Sequence, residues 1–178
     1  MYFWDTFTKI QFSNLTNIGE KMSNINDSKK VDETHKKFAK QCFNSTWDYL
    51  DKASLTPEEE LKMLNLAHAS RFHWSVVGTP NNNAVGDWQV SRVYAKLNEG
   101  KVSLKYAQSC LQLTLDNKIE ELYLSAYEGI ARAYAVLKDF QKAKMFILKA
   151  EEELKKVSDK EDREIYEPQI TETKSMIE

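Results

Sequence analysis

Histidine, cysteine and paired carboxylates are the side chains that most often carry catalysis or hold metals, and this chain spaces them against both roles. His68 and His73 lie five residues apart. On a regular helix they point about 140° away from each other and cannot share a metal. Asp32-x-x-His35 is a weak half of a di-iron ligand pair, a site that requires two Glu-x-x-His helices and two further glutamates. Cys42 and Cys110 have no Cys-x-x-Cys spacing and no basic neighbour to favour thiolate, so they read as small buried hydrophobes in a reducing compartment. Gly-x-Gly-x-x-Gly, Gly-x4-Gly-Lys-Ser/Thr, Gly-x-Ser-x-Gly and His-Glu-x-x-His are absent. These absences predict no catalytic residue, metal or cofactor, and favour a binding protein over an enzyme.

Two other constellations have chemistry of a recognition kind. The chain has four Arg against twenty-one Lys, and two of the four occupy the same place in a repeated segment. Ser91-Arg-Val-Tyr-Ala-Lys-Leu97 and Ala131-Arg-Ala-Tyr-Ala-Val-Leu137 agree at four of seven positions at an offset of forty. Trp88 lies one turn before Arg92, and Glu128 one turn before Arg132. Guanidinium groups in this setting can grip carboxylates or backbone carbonyls of a peptide in a bidentate way that lysine cannot. The local alternative is an (i, i+4) pair between Glu128 and Arg132 and a cation–π contact of Arg92 on Trp88. The second constellation, Arg71, His73 and Trp74 before a polar segment with Asp87 and Trp88 after it, is compatible with a small-molecule pocket. The favoured account is tryptophans packed at an elbow and polar residues capping helix ends.

Helices must position these groups. Glycine occurs five times and proline three in 178 residues, 42% of which are apolar and 29% charged. That is too little punctuation for sheets joined by tight turns. A helix is expected from about residue 31 to 52 with Phe38, Cys42, Trp47 and Leu50 on a buried face. Thr56-Pro57-Glu58-Glu59 is a capping box opening a second helix to about Val77. That helix has two apolar stripes, Leu61-Leu64-His68-Phe72 and Met63-Leu66-Trp74-Val77, with His68 a hydrogen-bonded core histidine. Gly78 to Gly86 is expected to be a long loop. Ser158-x-x-Glu161 marks a last helix, with Pro168 as a kink or restart. Residues 1–30 form either a docked short helix with the stripe Leu15-Ile18-Met22-Ile25 or a free arm, and Asn26-Asp27-Ser28 suggests a break.

The repeat fixes the architecture. Tyr127-x-x-Ile130-Ala131-x-x-Tyr134 followed by Ala143-x-x-x-Ile147-x-x-Ala150 resembles the tetratricopeptide repeat over residues 84–156, with alanines where crossing helices come closest. The closing proline of that consensus is absent, and the spacing of forty exceeds the usual thirty-four. The resemblance implies an all-α stack of antiparallel helical hairpins, about seven helices in a superhelix. Residues 31–178 form the domain, with hairpins at about 31–77, 84–115 and 119–156 and a cap at 159–177. It further implies that Arg92 and Arg132 line the concave face. The block from Asn44 to Leu97, with its Ala-Ser-Arg-Phe-His-Trp segment ending at Trp74, also resembles small bacterial proteins of unknown function, which implies no activity.

Charge and hydropathy narrow the partners. The net charge is −2, and no third of the chain is strongly basic, so nucleic acid is not expected. The most apolar charge-free stretch is the ten residues from Tyr106 to Leu115, too short to span a membrane. The start Met-Tyr-Phe-Trp-Asp has no signal-peptide pattern, so a cytoplasmic location is expected and the Asn-x-Ser/Thr matches at Asn14, Asn26 and Asn44 are chance. The leading expectation is a non-enzymatic scaffold that binds a peptide or protein on its concave face. The alternative is a small-molecule-binding protein or enzyme with a pocket at the 71–92 elbow. A homo-oligomer formed through an apolar face is the third.

Overall fold

The computed structural model describes the backbone of residues 4–177 and the side chains of residues 27–177. The fold is 84% helical and, among the described residues, contains no strand. Its helices are α1 (Trp4–Leu50), α2 (Pro57–Val77), α3 (Pro80–Lys96), α4 (Gly100–Asp116), α5 (Tyr123–Val136), α6 (Phe140–Leu154) and α7 (Lys160–Ser175), with one 3-10 turn at Glu120–Leu122 before α5. Neighbours in sequence are neighbours in space. α1/α2, α3/α4 and α5/α6 form hairpins, successive hairpins meet through α2/α3 and α4/α5, and α7 packs on both α5 and α6 as the first helix of a fourth hairpin would. The protein is an all-α stack of helical hairpins.

Local chemistry sets the ends of these helices. Thr56 caps α2 with the reciprocal bond to Glu59, as its sequence predicts. The same device occurs at Thr79-Pro80, where the Asn82 side chain returns to the Thr79 backbone. Gly78 and Thr79 are therefore the whole α2–α3 connection, and the long loop expected through Gly86 does not form. Three other turns share one geometry: Asn98, Lys118 and Lys138 have φ of 61°, 52° and 61°. Each follows a helix whose third-last carbonyl accepts from the residue after it: Glu99 N–H to Tyr94 O, Ile119 to Thr114 and Asp139 to Tyr134. These are Schellman closures, and two of them fall at the same place in the two repeat copies.

Small residues bring the helices together. Ala131, Ala143 and Ala150 are completely buried beside Ile147 and Ile170. Met63, Ala67, Val90 and Val93 form the core between α2 and α3. At the start of α4, a Cβ on Gly100 would lie 2.8 Å from Leu137 Cγ, so the second repeat can seat against the first only because that side chain is missing.

Other expectations are corrected. The backbone of α1 runs through residues 26–28 without a break; Asn, Asp and Ser cost a helix under about 0.7 kcal/mol each and neither glycine nor proline interrupts it there. The stripe Leu15-Ile18-Met22-Ile25 lies outside the residues whose side chains are described. Phe38, Leu61 and Phe72 are exposed rather than buried, and Ala39, Met63, Ala67 and Ser70 take the contacts instead. α7 is capped by Asp159 rather than Ser158, and it continues through Pro168 without restarting.

Candidate functional site

α3, α5 and α7, the first helices of their hairpins, pack against one another in series and share a face, referred to as the inner face. Trp88 and Arg92 on α3, and Glu128 and Arg132 on α5, are each one helical turn apart and so share a face. α7 adds Gln169, Glu172 and Thr173 to the same face. Both local contacts predicted by spacing form. Arg132 Nε donates to Glu128 Oε1 at 2.8 Å, and the Arg92 guanidinium lies 5.9 Å from the Trp88 ring and 5.6 Å from that of Trp47 on α1.

These contacts belong to a larger network. Glu172 Oε2 accepts from Arg92 Nη2 at 2.8 Å and from Arg132 Nη2 at 3.0 Å. Thr173 Oγ1 donates to Glu128 Oε1 at 2.6 Å, and Arg132 also donates to the Gln169 carbonyl. Arg92 Nη1 stands 3.8 Å from Glu128 Oε1, an ion-pair distance too long for a hydrogen bond. Glu128 is fully buried while the Glu172 side chain is 55% exposed. Two guanidinium and two carboxylate groups thus form a neutral cluster with one member open to solvent.

Electrostatics follow from that arrangement. Burial works against ionising Glu172, but the charges and hydrogen bonds of Arg132 and Arg92 outweigh it and hold the carboxyl below its usual range. Burial likewise opposes charge on Arg132, and Glu128 and Glu172 more than offset it. Arg92 is pushed downward, first by burial and then by Arg132; a guanidinium starts so high that it stays charged at any physiological pH. Trp88 Nε1, Arg92 Nη1, Glu128 Oε2 and Gln169 Oε1 are buried without a hydrogen-bond partner.

Beside this cluster lies a recess of about 490 Å³ whose walls come from α1, α3, α5 and α7, among them Phe43, Trp47, Trp88, Ile165, Tyr166 and Gln169. It is mostly apolar, with a few polar groups at its edge, and its size falls within the range of small-ligand sites, about 300–1,000 Å³.

The elbow constellation is divided among four surroundings. Arg71 on α2 pairs with buried Asp87 on α3, which also accepts from Ser109 Oγ of α4 at 2.6 Å, while Arg71 Nη1 reaches Asn83. Gly86 makes room for that arginine, since a Cβ there would lie 2.8 Å from Arg71 Cδ. His73 turns to α1, where its Nδ1 is 2.9 Å from His35 Nδ1, with Phe38 stacked on its ring. Trp88 lies near Trp47 of α1 and Arg92, on the face already described. A separate shallow recess of about 310 Å³ at the elbow is lined by Lys40, Phe43, Asn44, Trp74, Asn82 and Val85.

His68 is half-buried and bonded through Nε2 to Tyr94 Oη at 2.9 Å. Burial pushes the Cys110 thiol up to about 12 and raises Cys42 as well, so both stay protonated at neutral pH. Among the described residues no three His, Cys, Asp or Glu side chains gather to hold a metal, and no helix is long and apolar enough to cross a membrane.

Spacing alone omits Trp47, Gln169, Glu172 and Thr173 from the site. A signal for Glu172 is nonetheless present: the offset that carries Arg92 to Arg132, applied once more, lands on position 172. No family model matches the chain, and neither curated proteins nor solved structures include a match to it.

Proposed function

We propose that this protein is a non-enzymatic binding module of tetratricopeptide-like architecture that takes a segment of a protein partner on its concave face, in the cytoplasm. The observation that carries this reading is the aromatic-walled recess beside Arg92. Trp47 and Trp88 form a rigid apolar anchor site of the kind that dominates binding energy at interfaces. Next to them, the polar residues Asp51, Ser125 and Gln169 at the edge of the recess offer a peptide places to bond. In this reading Arg92 and Arg132, paired beside the recess, hold its neighbouring helices in place, and the indoles and Ile165 meet the partner.

Affinity capture with the full chain tests the proposal. Ile165 is 58% exposed, so Ile165→Arg alters the recess without disturbing the core, and Trp47→Ala removes one wall. Both variants are expected to lose the same subset of captured proteins. An unchanged set from both, with helix content intact, overturns the concave-face reading.

The alternative, a small molecule at the elbow, is supported by the recess at Trp74 and Asn82. Its test is a thermal-shift screen in which Trp74→Ala abolishes a hit while Trp47→Ala leaves it.

A further inference from the structure

The outer side of α6 departs from the pattern of a solvated helix face. Its inner positions Ala143, Ile147 and Ala150 are buried. On the opposite side Leu148 is 60% exposed and Met145 48% exposed, adjacent on the helix surface. Beside them α6 and α7 leave an apolar recess of about 270 Å³ lined by Ile147, Leu148 and Ile177, with Lys144, Glu151 and Lys174 at its rim.

Between its caps, Asp139 and Lys155, the charges of α6 are arranged against its own macrodipole. Lys142 and Lys144 lie near its N-terminal end and Glu151, Glu152 and Glu153 near its C-terminal end, with no acid in the first turn and no base in the last. A single helix is destabilised by that order. Most of these charges are matched within the chain: Lys142 with Asp139, Glu153 with Lys156, Glu151 with Lys174, and Lys149 over the rings of Tyr127 and Phe146. Lys144 and Glu152 form no hydrogen bond or close ion pair among the described residues, and Glu152 acts on Lys156 only through space. They stand four residues before and four residues after Leu148.

We propose that this face of α6 is a self-association surface, pairing antiparallel with a second copy of the chain across a two-fold axis at Leu148. A two-fold contact brings the same patch of both copies together, so it requires a self-complementary surface. An antiparallel pair centred on Leu148 sets Lys144 of each copy opposite Glu152 of the other and Met145 opposite Glu151, at the mouth of the recess. It also lays the basic half of one helix along the acidic half of its mate, which offsets the unfavourable order within each. Burial of Leu148 and Met145 drives the association, and the two Lys–Glu pairs fix its direction and register. This surface is separate from the concave face and does not rest on the peptide-binding proposal.

Light scattering on the eluting full-length protein, over a roughly hundredfold range of concentration, reads the state directly. A concentration-dependent dimer is expected. Leu148→Asp should leave a monomer with unchanged helix content, because the position is exposed in the single chain. Lys144→Glu and Glu152→Lys, each placing like charges opposite at both ends of the pair, should each weaken the dimer about tenfold or more. The double exchange K144E/E152K should restore it, an outcome peculiar to this antiparallel register. A chain that stays monomeric throughout, a dimer indifferent to Leu148→Asp, or a double exchange as weak as the single ones overturns the proposal.

Discussion

Arg132 is the side chain on which the inner face depends most. Its guanidinium bonds Glu128, Glu172 and the Gln169 carbonyl while itself only 6% exposed. Glu128, entirely out of solvent, is hydrogen-bonded by Arg132, while Arg92 faces it at the longer ion-pair distance of 3.8 Å. Removing one partner of a buried pair leaves the other's charge uncompensated, at a cost of about 3–5 kcal/mol. Arg132→Met, which preserves much of the apolar stem, is therefore expected to lower unfolding stability by about that amount in urea titration. Glu128→Gln combined with Arg132→Met should recover a substantial part of it, and a double variant no better than the single would mean that the packing of the stem, not the charge, is what matters. Of this network the sequence makes two edges legible, Glu128–Arg132 and Arg92–Trp88, because helical spacing dictates them. The elbow residues separate because Arg71 and His73, two positions apart on a helix, point to opposite sides, and no spacing rule says which neighbour each helix will meet. His35 and His73, which meet between α1 and α2, are such a case.

At the level of the helices, the starts were written more plainly than the stops. Threonine followed by proline signals a first turn in both α2 and α3. At Thr79 the box is closed by Asn82 rather than by Glu or Gln, and the run of asparagines after Pro80 reads as loop to any propensity scale even though the caps make it helix. The buried faces of α5 and α6 follow the repeat pattern of Tyr, Ala and Ile closely, whereas α1 and α2 have apolar residues on several sides, and sequence alone did not separate exposed Phe38 and Phe72 from buried Ala39 and Ala67. Helix ends also reveal where the fold tolerates strain. Lys138 closes α5 with φ of 61°, a conformation that costs a residue with a Cβ roughly 1–2 kcal/mol and glycine almost nothing. Its N–H bonds the Ala135 carbonyl at 2.9 Å, and that bond does not use the side chain. Lys138→Gly should raise stability by about 0.5–1 kcal/mol, after the larger unfolded-state entropy of glycine is subtracted. Lys138→Ala should give little change. Equal effects of the two would show that the turn is not closed in the left-handed form.

Across the whole molecule, the network joins first helices that are two hairpins apart. Arg92 of α3 and Glu172 of α7 meet at 2.8 Å over the top of α5, so the inner edge of the stack is drawn closed at its C-terminal end, and the recess lies beside this clasp. The clasp is sensitive to acid because its exposed member is a carboxylate held below its usual range by Arg132 and Arg92. An unfolded chain binds that proton near the ordinary glutamate value of about 4.3, and the folded chain only at a lower pH. The stabilisation is therefore complete above the unfolded value and disappears as pH falls through the folded one. Glu172→Gln has no proton to gain at this position. It should be less stable than the natural chain at pH near neutrality, and the difference should shrink on the acid side until the two curves converge. Urea midpoints measured from neutral pH down through the carboxylate range check this, with the concentration fixed so that association contributes equally. Curves that remain parallel throughout would place the two arginines under the control of Glu128 alone and leave α7 held by Ile170, Thr173 and Ile177. The inner edge would then owe its closure to packing and not to charge.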